Sequence, residues 1–217
     1  MALLHHAELV PSKLELLAGW APSQSWFGGD AKAPFATVSS YRFDDPDGQV
    51  GIETLLIRAG DGPILQIPLT YRNEELPGAE KWFVGNMEHS VLGKRWAYDA
   101  VGDPVYLGRL AAATLGGGQQ ADQYFEEEGK RVTRNPTAVV KGSGPAGFVA
   151  PSASDDHVPA TRNDAVSTLV ETDRLAFFIA RIPVLNPLKK DDDSDYLSGT
   201  WTDQPDPCIL ALVSLRN

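Results

Sequence analysis

Cysteine and long apolar runs are nearly absent from this sequence. Its 217 residues include one cysteine, Cys208, which cannot form a disulfide within the chain or supply a thiolate metal site. No stretch approaches the roughly 20 apolar residues that a membrane-spanning helix requires. Residues 1–12 include Glu8 and no long apolar core, so they do not resemble a secretory signal. We therefore expect a cytoplasmic protein in a reducing compartment, without membrane attachment.

Basic charge is also scarce. Nineteen Lys and Arg oppose 29 Asp and Glu, for a formal net charge of −10. Because this charge repels phosphate backbones and anionic lipids, it argues against nucleic-acid or membrane-surface partners. The 42% hydrophobic content is enough for a packed core, and the length predicts one domain or one domain with an appendage.

Two helices are predicted from their capping residues. Ser12 and Glu15 form a capping box before a short helix whose apolar face is Leu14, Leu17 and Ala18 and whose expected end is Gly19. Asp103 as N-cap and Pro104 at the first helical position predict a second helix. Its predicted apolar stripe is Leu107, Leu110, Ala111, Thr114 and Leu115.

Strand patterns fill the first half of the chain. Residues 35–43, 50–58 and 64–71 read as an antiparallel meander joined by Gly- and Pro-containing turns, and residues 91–98 are a further candidate. Pro68 cannot donate to a strand ladder, which favours an edge strand or a bulge.

The second half has a different character. Residues 142–164 are rich in Gly, Pro and small polar residues and predict a linker or long surface loop. Residues 166–170 and 175–184 predict a hairpin, the acidic run 191–195 a solvated loop, and residues 209–215 a last strand. We expect a first unit at 1–135 and a C-terminal strand extension at 136–217.

Several short motifs resemble catalytic or nucleotide-binding motifs, but the residues around them do not fit those functions. Gly142 to Gly147 matches G-x-G-x-x-G, but no helical pattern follows to bind a dinucleotide. Lys94 lacks the glycine-rich cradle of a phosphate loop, and His89 and Ser90 are neighbours that point to opposite faces of a strand. We expect no catalytic residue and no cofactor.

Metal binding is not predicted either. His5 and His6 have no third ligand nearby in sequence and read as surface residues. The acidic run 191–195 lacks the glycine and terminal glutamate of a calcium loop.

The aromatic residues have two interpretations. Trp20, Trp26 and Phe27 either stack on a sugar ring or anchor the first helix to the sheet, and anchoring is the more common role of such residues.

The segment Trp20-Ala-Pro-Ser-Gln-Ser-Trp-Phe-Gly-Gly29 resembles the start of the N-terminal cap domain of actinobacterial maltokinases and related sugar kinases. The likeness continues through residues 65–71, 91–93 and 98–104 and covers about residues 7–125. Ser25 and Asp30 depart from the basic residues that those kinases tend to have at these positions. The sequence contains no His-x-Asp with an Asn four residues later, so we expect it to lack the kinase body.

The resemblance implies an α+β fold, with a curved, cystatin-like antiparallel sheet packed against two helices and extended by C-terminal strands. It also implies a non-catalytic accessory protein that docks on a sugar kinase or another enzyme of α-glucan, maltose or trehalose metabolism. The alternatives are a carbohydrate-binding protein, with weak activity or none, that uses an aromatic-lined concave sheet, and a structural homodimer. The candidate binding residues are Trp20, Gln24, Trp26, Phe27, Trp82 and Trp96.

Overall fold

The computed structural model describes residues 2–127, 129–153, 159–185 and 194–216. Within them the chain forms two six-stranded antiparallel sheets, one small three-stranded sheet and two short helices. The fold is mostly antiparallel β with a curled, half-barrel sheet, which agrees with α+β in outline. The finer expectation of a cystatin-like sheet stays a prediction.

The first large sheet, here called the cap sheet, has the strand order β2-β6-β7-β5-β4-β3. Its strands, in chain order, are β2 (Leu9–Val10), β3 (Phe35–Phe43), β4 (Gly51–Ala59), β5 (Leu65–Arg72), β6 (Phe83–His89) and β7 (Gly93–Asp99). The meander β3-β4-β5 is confirmed with the predicted antiparallel pairing. Sequence reasoning missed β6, because only Met87 in it is buried and no apolar alternation marks it.

The prediction for Pro68 is confirmed in part: β5 is paired on one side only at this residue, but there is no bulge and the strand as a whole is not an edge strand. Strand β5 lies inside the cap sheet, and its pairing with β4 has no register shift. Pro68 is nevertheless tolerated, since β7 pairs with β5 only from Leu69 onward. Among the described strands, only β4 pairs with β5 at Pro68.

The second large sheet, the C-terminal sheet, has the order β10-β14-β15-β13-β12-β11. Its strands are β10 (Ala138–Gly142), β11 (Ala160–Asn163), β12 (Ser167–Glu171), β13 (Leu175–Leu185), β14 (Asp195–Trp201) and β15 (Gln204–Leu215). The β12–β13 hairpin and the last strand are confirmed, although the last strand begins five residues earlier than predicted.

Two expected loops are shorter in the structure. Residues 142–164, predicted as linker or surface loop, include the last residue of β10 and all of β11. Asp195, placed in the acidic loop, is the first residue of β14, and residues 191–193 lie outside the described part of the chain. A small sheet of β1 (Ala2–Leu4), β8 (Gln123–Glu127) and β9 (Lys130–Arg134) was not predicted.

Helix α1 (Lys13–Trp20) begins at the predicted capping box. The Glu15 amide donates to Ser12 Oγ at 3.3 Å, and the Ser12 amide donates to Glu15 Oε2 at 2.8 Å. The helix passes through Gly19 to Trp20, so the predicted end is one residue early. Leu17 is buried but Ala18 is exposed, which corrects the predicted apolar face.

Helix α2 (Pro104–Leu115) confirms its prediction closely. Asp103 Oδ1 accepts from the Val105 amide at 3.0 Å, and every residue of the predicted stripe is buried. Within the described residues, no helix is long and apolar enough to cross a membrane.

Two hydrophobic clusters lie on opposite faces of β4 and β5. Leu55, Ile57 and Leu65 belong to the cluster under α1. Ile52 and Leu56 belong to a larger cluster that also contains α2 and buried residues of the C-terminal sheet such as Phe177 and Val213. Both faces of these central strands are therefore covered by the chain itself.

Candidate functional site

A cleft of about 720 Å³ opens between the N-terminal residues and the cap sheet. Residues from β2, α1, β3–β7 and the small sheet line it, and about half of them are polar or charged. Cavities of this size are typical of small-molecule sites. None of the predicted aromatic binding residues lines this cleft.

An ion cluster centred on Glu53 forms one wall of the cleft. Lys13 Nζ lies 2.5 Å from Glu53 Oε2, Arg42 Nη2 lies 3.3 Å from Oε1, and the Tyr71 hydroxyl donates to Oε2 at 3.3 Å. Burial alone would raise the pKa of Glu53, but the Arg42 and Lys13 charges outweigh it and lower the pKa to about 2. Burial and the Glu53 charge raise the pKa of Tyr71 well above its usual value.

Two histidines lie at another part of the cleft wall. The rings of His5 and His89 meet edge to face, with their centroids 5.7 Å apart. His89 Nδ1 accepts from the amides of Val91 at 3.2 Å and Leu92 at 3.1 Å, so the neutral ring carries its proton on Nε2. Burial, and then the positive charges of His5, Arg95 and Lys13, lower the pKa of His89.

Arg95 lies beside His89 on the β6–β7 hairpin. Its Nη2 donates to the Leu92 carbonyl at 2.7 Å, while its buried Nε has no hydrogen-bond partner among the described residues. By contrast, Arg42, Arg72, Arg181 and Arg216 each pair with a carboxylate.

Ser90 does not pair with His89, and the described residues hold no metal-binding cluster. Ser90 Oγ accepts from the Glu8 amide at 3.0 Å rather than from His89. Within the described part of the chain, no group of three His, Cys, Asp or Glu side chains could hold a metal ion. Cys208 is buried, and burial raises the pKa of its thiol.

Four of the predicted binding residues lie within residues 20–29, a segment here called the tryptophan loop. Trp26 is completely buried, which matches the anchoring role that the sequence favoured, and its ring lies 5.7 Å from the half-buried Trp20. Phe27 stacks on Phe35, with the ring centroids 5.9 Å apart. Gln24 is half-buried, and its Nε2 donates to Ser23 Oγ at 3.0 Å.

The other two predicted residues lie elsewhere. Trp82 is buried in the larger cluster against Gly102, where a Cβ atom would come within 2.1 Å of the indole. Trp96 is half-buried against the same cluster, with Lys94 Nζ 4.4 Å from its ring centre. The structure therefore does not bring Trp20, Trp82 and Trp96 onto one concave surface.

Sequence reasoning missed a buried polar group between the two large sheets. Arg181 of β13 has no exposed surface; its Nη2 donates to Asp99, its Nε donates to Thr168, and its guanidinium lies 4.6 Å from the Trp26 ring centre. Gln66 donates to the carbonyls of Ala180 and Leu210 at 2.7 and 2.8 Å. The sequence feature that could have indicated this buried group is an arginine within the otherwise apolar run 177–185.

Comparison with known families agrees with the resemblance in the sequence. Residues 20–103 match the model of the maltokinase N-terminal cap domain family. The matched segment runs from the tryptophan loop to the N-cap of α2 and includes strands β3 to β7. A search of curated proteins finds no match to the chain. Residues 20–103 are therefore similar to a maltokinase N-terminal cap domain.

Proposed function

We propose that this protein is a non-catalytic accessory protein that docks, through its cap segment, on a sugar kinase or another enzyme of α-glucan, maltose or trehalose metabolism. The observation that carries the proposal is the family match over residues 20–103. Docking would regulate the partner enzyme by changing how its active site closes.

What the fold leaves accessible supports the tryptophan loop as the proposed docking surface. Both faces of β4 and β5 are covered, by α1 on one side and by α2 with the C-terminal sheet on the other. The tryptophan loop is held to the core by Trp26, while Ser25, Gly29 and the following residues 30–32 are exposed. A loop with a buried anchor and an exposed rim is preorganised for binding, since little of its conformational entropy remains to be lost.

Affinity capture from a cell extract of the source organism tests this proposal. The tagged full-length chain should enrich a sugar kinase or glucan enzyme at low salt. Gln24→Lys in the tryptophan loop should reduce the enrichment, whereas Thr202→Lys, which adds the same charge on an exposed turn of the C-terminal sheet, should not. Failure to enrich any such enzyme, or equal loss in both variants, would contradict docking through this loop.

A further inference from the structure

Three basic side chains, His5, His89 and Arg95, line one part of the cleft. Among the described residues, neither His5, His89 nor Arg95 forms a salt bridge with a carboxylate. The charged groups that act on His89 are His5, Arg95 and Lys13, all of them basic. The carboxylates of Asp44, Asp45 and Glu53 also line the cleft, and Glu53 is paired with Lys13 and Arg42.

The hairpin register fixes how two of these side chains are arranged. Met87 pairs with Arg95 and His89 pairs with Gly93. His89 and Arg95 are therefore diagonal neighbours on one face of the antiparallel pair, about 7–8 Å apart at the backbone. Leu92 holds both: its amide donates to His89 Nδ1, and its carbonyl accepts from Arg95 Nη2. Strand β2 pairs Leu9 with His89, which brings the N-terminal segment and His5 alongside.

The unused hydrogen-bond donors define the chemistry of a ligand. His89 keeps its Nε2–H without a partner among the described residues, and Arg95 keeps its buried Nε–H. A buried donor without a partner destabilises the protein, and an acceptor in the cleft would remove that cost. We propose that His5, His89 and Arg95 form a binding site for the phosphate group of a small phosphomonoester.

A phosphomonoester fits better than a simple carboxylate. Its doubly charged head offers three terminal oxygens to donors from three side chains, whereas one guanidinium is enough for a carboxylate. The cleft also has room for an organic body beyond the anion, with Gln49, Asn73 and the exposed Arg134 along its walls. This inference does not depend on the docking proposal.

Calorimetric titration of the full-length protein with inorganic phosphate and with glycerol phosphate, at constant ionic strength, tests the site. Both should bind saturably, and Arg95→Gln and His89→Gln should each weaken binding by about tenfold. Lys94→Gln is the matched control, because Lys94 pairs with Glu88 on the opposite face of the same hairpin and should leave binding unchanged.

A measurement on the unaltered protein tests the site even if the variants fail to fold. In proton NMR spectra, phosphate should shift the imidazole signals of His5 and His89 more than that of His6, whose ring pairs with Glu127 at 3.3 Å. Absence of saturable phosphate binding, equal weakening by Lys94→Gln, or acetate binding as strongly as phosphate would each overturn the proposal.

Discussion

At the scale of single residues, Glu53 shows how burial and charge oppose each other. Its side chain is 7% exposed, yet it stays ionised because two cations and a phenol surround it. A buried carboxylate that is fully paired in this way contributes little chemistry as a general acid, since it does not hold a proton near neutral pH. Its role in the cleft is to hold Lys13, Arg42 and Tyr71 in place.

The low pKa of Glu53 predicts a specific loss of stability in acid. The unfolded chain binds a proton at Glu53 near pH 4.5, whereas the folded state resists until about pH 2. The ion cluster therefore stabilises the fold above pH 4.5, by about 3 kcal/mol, and this contribution is lost as the pH falls toward 2. Urea unfolding at a series of pH values measures it.

Glu53→Gln is the comparison for that series. The variant should be less stable than the parent at pH 7, because Lys13 and Arg42 then lack their counter-charge, and the difference should shrink below pH 4.5. A difference in stability that is constant from pH 7 to pH 2 would show that Glu53 is not the responsible group.

At the scale of elements, the end of helix α2 depends on a glycine that follows it directly and on another far along the chain. The Gly118 and Gly144 amides donate to the carbonyls of Ala113 and Thr114 at 2.8 and 3.0 Å. A Cβ atom on Gly144 would lie 2.0 Å from the Leu115 carbonyl oxygen. The glycines that imitate a dinucleotide motif thus permit close backbone approach to a helix C-terminus, whose carbonyls need partners.

Two glycine substitutions should change stability in opposite directions. Gly144→Ala should destabilise the protein by more than about 2 kcal/mol, since backbone atoms rather than flexible side chains must move. Gly108→Ala, inside α2 with no atom within 4 Å of the added Cβ, should stabilise it by about 0.5–1 kcal/mol. Thermal unfolding followed by circular dichroism distinguishes them, and a neutral Gly144→Ala would refute the close packing.

The same elements show what the sequence can and cannot predict. Helix α2 was predictable because Asp103, Pro104 and the apolar stripe are local signals. Strand β9 is exposed throughout, and β6 and β8 each have a single buried residue, so none of the three shows an apolar alternation. The grouping of His5, His89 and Arg95 depends on strand pairing between distant segments. Arg181 and Asp99 are 82 positions apart. Neither arrangement can therefore be recognised from local residue spacing.

At the scale of the whole molecule, the cap sheet and the C-terminal sheet share a core. Arg181, Asp99, Thr168 and Gln66 join them through buried hydrogen bonds, and apolar residues of both contribute to the larger cluster. We propose that the strands after residue 135 supply the cap segment with a packing surface.

Loss of the buried arginine should therefore destabilise the whole protein. Arg181→Met leaves the Asp99 charge buried without its partner and should cost about 3–5 kcal/mol. Arg162→Met, an exposed position on the edge strand β11, should change stability by less than about 0.5 kcal/mol. Chemical denaturation measures both variants, and similar small effects would mean that the Arg181 pair does not stabilise the contact between the sheets.

We propose that this chain works by binding an enzyme rather than by catalysis. Calorimetric titration of the purified chain against purified sugar kinases and glucan enzymes of its source organism is the direct test. We expect saturable, one-to-one binding to at least one of them, weakened by Gln24→Lys but not by Thr202→Lys. No saturable binding to any of these enzymes would contradict it.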